Sequence, residues 1–425
     1  MKITYFVNAM VMLESACSRI LCDPWVTFDG HSTSGFYNFP EAPFTREEIA
    51  ALEPDFIYIT HTHPDHFDPA TLELFAKDTP VLVSWYKFNF TEKAVANLGF
   101  TDVRVSDPQD GIALNSEDRC WLSPGTAYPD VDSIAVFSLD GALAFNANDN
   151  PFVAEPIGAV RERFGPFDVA LLPFAGHGPY PMFYENLSGA KKAELADQKK
   201  NKYYNDFAKY IELLEPRVVV PIAGGLMAGG EKARCYVYSG LGRATEALER
   251  AARRFEFEPV PLSAWNSYDT AMGERSGAYV ERTHASEADY VERLACTSGI
   301  FDRSGAFHIA PSERIDLCYL LSLAKQKFDK WATIKALDTK TVCFLDVGEA
   351  TLYRVAPDSQ EVTRVARDAV ADPRYEIFRL PYGLLIGLLT GHYKWSNVKT
   401  QHVMYFRQPD QFDNALHQLM NHLHL

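Results

Sequence analysis

Cysteine and histidine are scarce in this chain, seven and twelve residues of 425. Cys17, Cys22, Cys120, Cys235, Cys296, Cys318 and Cys343 are odd in number and scattered, with no partner at disulfide-framework or metal spacing. Reduced thiols in a cytoplasmic protein are the expectation. Long apolar runs are missing too. No stretch reaches the ~18 continuous apolar residues of a membrane span. Residues 1–20 lack a basic start followed by a long apolar core, so they read as structure rather than a signal peptide. Positive charge is in deficit: 41 Lys and Arg against 56 Asp and Glu leave a formal charge of −15, which argues against a nucleic-acid partner. No internal repeat or low-complexity tract is present. What remains is an ordinary globular composition, 47% hydrophobic and 23% charged, long enough for two or three domains.

Against that scarcity, three histidines and two carboxylates crowd into Thr60-His-Thr-His-Pro-Asp-His-Phe-Asp68. They follow Asp55-Phe-Ile-Tyr-Ile-Thr60, an apolar run with strand character. His61 and His63 are two apart and point to one side of an extended segment. Asp65 and His66 form a second half-site if a helix begins there, packed down by Phe67, Leu72, Leu74 and Phe75. Neutral imidazole and carboxylate delivered to one point at a sheet edge suit zinc, iron or manganese.

The string His61-Thr-His63-Pro-Asp65-His66 resembles the HxHxDH signature of the metallo-β-lactamase superfamily. The resemblance implies an α+β (αββα) sandwich of two mixed sheets flanked by helices, with metal at the edge of the facing sheets. It assigns His61 and His63 to one metal, and Asp65 and His66 to a second. Asp23-Pro-Trp25 resembles the family's early Asp-Pro turn. A hairpin from Ser133 to Ala147 ends in Asn146-Ala-Asn-Asp149-Asn, and Asp149 falls where the family places a metal-bridging aspartate. Two family histidines have no counterpart. Before Ser133 the chain offers Asp130 or Asp132 as oxygen ligands, and after Arg217-Val-Val-Val-Pro221-Ile it reads Ala223-Gly-Gly. His177, in Phe174-Ala-Gly-His-Gly-Pro-Tyr-Pro181, is a candidate ligand, substrate contact or acid/base group. A shift toward oxygen ligands suits iron or manganese better than zinc.

A narrower resemblance covers most of the chain. Asp130-Val-Asp-Ser, Asn148-Asp149, Phe174-Ala-Gly176 with Tyr180-Pro-Met182, Pro221-Ile-Ala-Gly224 and the stretch from Pro381-Tyr-Gly to Pro409-Asp410 are similar to the catalytic region and tail of CMP-N-acetylneuraminate hydroxylase and related nucleotide-sugar hydroxylases. Those enzymes carry an N-terminal Rieske domain. Its paired Cys-x-His and Cys-x-x-His motifs do not occur here. The resemblance therefore implies an iron-dependent hydroxylase of a polar small-molecule substrate, nucleotide-linked or amino-sugar-like, fed by a separate electron-transfer protein. A metal-dependent hydrolase of an ester, amide or phosphoester is the alternative, with Asp65 or Asp149 orienting a metal-bound water. One or two divalent ions are expected, iron first, zinc or manganese as alternatives.

The remaining pattern sets the organisation. Thr45-Arg-Glu-Glu48 has the form of a capping box. Ser188 to Leu214 and Ala244 to Phe255 read as helices, and Lys191, Lys192, Lys199, Lys200 and Lys202 as a solvated face. Lys232, Arg234 and Arg243 are a candidate basic patch for an anionic substrate. Ser263 to Gly277 reads as a loop closing a catalytic domain at 1–275. The pattern over 276–425 is a helical linker and a small α+β C-terminal domain, whose aromatics, Tyr393, Trp395, Tyr405 and Phe406, read as core rather than a ligand platform. His417, His422 and His424, on a closing helix without a carboxylate partner, are expected to bind no metal.

Overall fold

A computed structural model describes residues 1–28, 35–41, 44–86, 89–107, 109–125, 132–236, 240–297 and 307–425. Two sheets face each other across the first 275 residues. One runs, in spatial order, Glu274–Arg275, Ser267–Asp269, Lys2–Val7, Met10–Glu14, Arg19–Cys22, Phe56–Tyr58, Val81–Ser84 and Val103–Ser106. The other runs Glu258–Pro259, Val218–Ile222, Val169–Pro173, Ala142–Asn146, Ser133–Leu139, Arg119–Pro124 and Ile112–Ala113. Both are mixed. Phe56–Tyr58 lies parallel to its neighbours on either side, whereas the opening strands pair antiparallel.

The two-residue period of the strands builds the layers. Val11 and Leu13 enter the core between the sheets with Val169, Leu171, Val218 and Val220. Met10 and Met12 point the other way, into a layer with Ile49, Leu72 and Val95 from the helices Arg46–Ala50, Pro69–Leu72 and Phe90–Asn97. Ala170, Leu172 and Val219 likewise turn outward onto Ile157, Phe207, Ile211 and Leu248, from the helices Ala154–Phe164, Gly189–Leu214 and Ala244–Ala252. The result is the expected αββα sandwich. Its local signals appear as read: Thr45 and Glu48 complete the capping box, and Asp140 and Gly141, both at positive φ, turn the hairpin.

Two expectations fail. Ser263 to Gly277 is not a plain loop: Ser267–Asp269 pairs with Lys2–Thr4, and Glu274–Arg275 pairs back on it. Strands of two or three residues are too short to leave a periodic signal, and only buried Tyr268 marks them. Nor does a helix begin at Asp65. His63 O accepts from the N–H groups of His66 (3.0 Å) and Phe67 (2.8 Å), making a turn. The helix starts at Pro69, with Asp68 as its N-cap accepting from Thr71 N. An Asp before a Pro at the first helical position is itself a start signal.

The C-terminal sheet runs Thr363–Ala366, Thr351–Val355, Val342–Asp346, Tyr375–Arg379 and Met404–Gln408. The helices His284–Ala295, Cys318–Ile334 and Tyr382–Leu389 contribute to a core that also takes in Met182, Phe183 and Tyr184. The edge strand is tied to that segment through Tyr405 N–Phe183 O (2.9 Å) and Glu185 N–Tyr405 O (2.8 Å). At the seam, buried Arg407 donates to Glu376 at 2.9 and 3.1 Å and to the Tyr184 hydroxyl, which itself donates to Glu376 at 3.0 Å. Arg407→Met strands a buried carboxylate, so it is expected to cost about 3–5 kcal/mol in denaturant unfolding; a cost below about 1 kcal/mol would show that the seam does not depend on this pair.

Candidate metal centre

The strand Phe56–Tyr58 delivers its following residues to the rim between the sheets. Thr60 is the pivot. Its carbonyl accepts from Tyr86 and from Ser133 of the opposite sheet, both at 2.7 Å. Its N–H and hydroxyl both donate to Asp23, each at 2.8 Å. Asp23, at the end of its own strand with φ 43°, also lies 2.8 Å from His66 Nδ1. One buried carboxylate thus fixes the approach of His61 and orients the His66 ring. Sequence reasoning saw Asp23 only as part of a turn.

His61 Nε2 and His63 Nδ1 are 2.7 Å apart. Donor atoms of His61, His63 and Asp149 all lie within 4.8 Å of one another. His66 Nε2 faces the same point, 3.5 Å from an oxygen of Asp65 and 3.5 Å from an oxygen of Asp149. Asp65 is steadied by Asn8 Nδ2 at 3.4 Å. Asp149 hangs from an asparagine-rich tip: Asn146 Oδ1 accepts from Asn148 N at 2.8 Å, Asn148 Oδ1 accepts from Asp149 N, and the amides of Asn148 and Asn150 donate to Ser133 O.

Asp132 stands elsewhere. Its carboxylate is 3.4 Å from His61 Nδ1, the nitrogen turned away from His63. In this position it orients the ring, as carboxylates behind metal-bound histidines do; the expected oxygen-ligand role does not match this placement. Asp130 lies outside the described residues. Where the fourth histidine was missed, Ala223 takes φ 53° and donates to Asn8 O at 2.8 Å, and the Phe174 ring lies where a Cβ on Gly224 would stand. A ligand side chain has no room at Gly224. His177 is separate from the cluster of mutual contacts; both its ring nitrogens are buried and make no hydrogen bond.

The electrostatics suit a cation. Burial alone would raise the Asp149 carboxyl, but His66, His61 and His63 outweigh it and hold the group well below the usual carboxylate range. Burial also opposes charge on His66, yet Asp149, Asp23 and Asp65 raise its pKa well above the ordinary value. His63 is exposed at the mouth but crowded by protein, and loss of water, His61 and Lys399 push it down. Asp132 is pushed up to about 7, chiefly by burial. His66 Nε2 and Asp149 Oδ1 are buried without a hydrogen-bond partner. Unpaired buried donor atoms aimed at one point are costly unless something binds there, so the residues present fit one or two divalent ions.

Fold and site together have the form of a metallo-β-lactamase-type αββα sandwich with a candidate metal centre at its rim. Comparison with known proteins agrees: residues 2–115 match the family model described as a beta-lactamase superfamily domain. A putative Rieske 2Fe-2S iron-sulfur protein of Mycolicibacterium smegmatis is 31% identical over 237 residues, 53% of this chain and 43% of that protein. The cytidine monophosphate-N-acetylneuraminic acid hydroxylase of Danio rerio is 26% identical over 237 residues, 52% of this chain and 38% of that protein. A UPF0173 metal-dependent hydrolase of Thermococcus kodakarensis is 27% identical over 231 residues, 52% of this chain and 83% of that protein. The chain spans less than half the length of the first two. Among the described residues, no helix is long and apolar enough to cross a membrane.

Proposed function

We propose that this chain is a non-heme iron oxygenase that hydroxylates a polar, nucleotide-linked or amino-sugar-like metabolite. The observation that carries the reading is the donor set. Two imidazoles and one carboxylate, His61, His63 and Asp149, converge on one point, and the further donors nearby are one imidazole, His66, and one carboxylate, Asp65. Two histidines with one carboxylate are the facial arrangement of non-heme iron, with positions left open. The likeness to the Danio rerio hydroxylase points the same way. Iron held there by His61, His63 and Asp149 would supply dioxygen activation once reduced. The chain's own groups do the rest. Asp23 and Asp132 hold the His66 and His61 rings in register. His177, kept neutral by burial, Lys199 and Arg282, has a free ring nitrogen with which to accept a hydrogen bond from the substrate.

The likeness to the Thermococcus hydrolase, which this chain matches over 83% of its length, favours a second reading, metal-dependent hydrolysis. There Asp65, half-buried beside His66, orients the attacking water. Elemental analysis of protein purified without added metal separates the two. One or two irons per chain, with dioxygen consumed on reduction, is the expected result. Stoichiometric zinc indifferent to reductant would replace the oxygenase by the hydrolase.

A further inference from the structure

Beside the metal centre, a cavity of ~730 Å³ opens between the sandwich and the C-terminal domain. The sandwich contributes His177 and Tyr180 from one loop and Lys199 and Tyr203 from the helix Gly189–Leu214. The C-terminal domain contributes Trp395, Lys399, Tyr405 and His417. Neither part closes the cavity alone. It is large enough for a metabolite of moderate size.

Its lining has two unusual features. The first is a pair of lysines in a lining that also holds Asp410, hydrogen-bonded to Tyr180, and Asp413, the N-cap of the last helix. The lysines of the long helix were expected to form one solvated face, and most do: Lys191 pairs with Glu194, Lys200 with Asp197 and Lys202 with Asp206. Lys199 turns inward instead, its Nζ 3.4 Å from Tyr180 O. Across the cavity stands Lys399. Among the described residues neither lysine has a salt-bridge partner, whereas Arg407 on the same wall is neutralised by Glu376. Burial lowers Lys199 to about 8 and lowers Lys399 as well. Two half-buried ammonium groups without a salt-bridge partner cost free energy that an anionic ligand between them would offset. The second feature is aromatic. Trp395 and Tyr405, expected to be core, are buried yet present surface to the cavity. The Tyr203 ring lies directly on Gly176, where any Cβ would run into it.

The cavity lies within electrostatic reach of the metal cluster. His177 lines it and is influenced by Asp149 and His66 of the metal cluster. Lys399 lines it and is influenced by Asp65.

We propose that this interdomain cavity is the substrate pocket, and that it takes a ring-bearing organic anion whose phosphate or carboxylate sits between Lys199 and Lys399 while its ring lies against Trp395, Tyr405 and Tyr203. This deepens the oxygenase reading by naming the substrate class, and rests on the metal centre being the place of reaction. The pocket serves the hydrolase reading equally, so its test need not wait on metal identity. The proposed basic patch at Lys232, Arg234 and Arg243 is not needed; Arg234 is occupied by Glu292 at the surface.

Equilibrium binding of 4-nitrophenyl phosphate, 4-nitrobenzoate and neutral 4-nitrobenzyl alcohol to the full chain tests this. At least one anion is expected to bind and the alcohol to bind at least about tenfold more weakly, since a charge-assisted contact is worth about one power of ten or more. Which anion binds tells phosphate from carboxylate. The double variant Lys199→Met, Lys399→Met keeps the apolar stems and should lose at least about tenfold in affinity for that anion, while Lys399→Arg keeps the charge and retains binding. His61→Ala should lose metal but keep the anion. Binding that is unchanged in the double-methionine variant, absent in the parent chain, or lost only with the metal would overturn the pocket; the first and third would still leave the metal centre standing.

Discussion

His61→Ala and His63→Ala are each expected to lose bound metal and, with it, activity by at least about a hundredfold, with the fold intact. Even changes behind a metal ligand commonly cost 10–100-fold in affinity or activity, and removal of a ligand should cost no less. Stability should hold because both rings stand at the rim of the sheets, past the last residue of the strand Phe56–Tyr58, rather than in the core between them. Metal content by elemental analysis, circular dichroism and thermal unfolding measure the three parts of this expectation. Unfolded variants, or variants with full metal content, would contradict it.

The second large effect belongs to a residue that binds no metal. Asp23 accepts from Thr60 twice and holds His66 Nδ1, entirely out of water. Asp23→Ala leaves the Thr60 donors and the His66 ring without their partner. It is expected to destabilise the protein by about 3–5 kcal/mol in denaturant titration, the range for breaking a buried charged pair. Asp23→Asn keeps the shape but weakens the hold on His66, and metal affinity should fall about 10–100-fold. A D23A protein as stable as its parent would show that Thr60 is positioned by Tyr86 and Ser133 alone. Within the pocket, Gly176→Ala should raise KM with little change in stability, because its Cβ displaces the Tyr203 ring rather than core. Steady-state kinetics checks this, and an unchanged KM would argue that Tyr203 does not touch substrate.

The parts of this molecule that could be read in advance are those carried by short stretches of chain. A two-residue spacing put His61 and His63 on one side. The hairpin ending in Asn146-Ala-Asn-Asp149 put a carboxylate at the rim. The continuous apolar runs within Met10–Glu14 and Val169–Pro173 fit strands buried on both faces. Long-range arrangement could not be read this way. Lys199 and Lys399 are two hundred residues apart in number, and nothing local distinguishes Lys199 from its solvated neighbours on the same helix. A residue at one face of an amphipathic helix becomes a pocket residue only when a second domain packs over it. Asp132 was misplaced for a related reason. Composition shows a carboxylate near the site, but only the side of the His61 ring it meets decides between ligand and orienting partner.

Anomalous X-ray scattering at the iron and zinc edges, on crystals of protein purified without added metal, tests the central claim most directly. The account predicts a peak about 2.0–2.2 Å from His61 Nε2, His63 Nδ1 and an Asp149 oxygen, strong at the iron edge. No peak among these three side chains, or a peak bound elsewhere with His61 and His63 still hydrogen-bonded to each other, would contradict it.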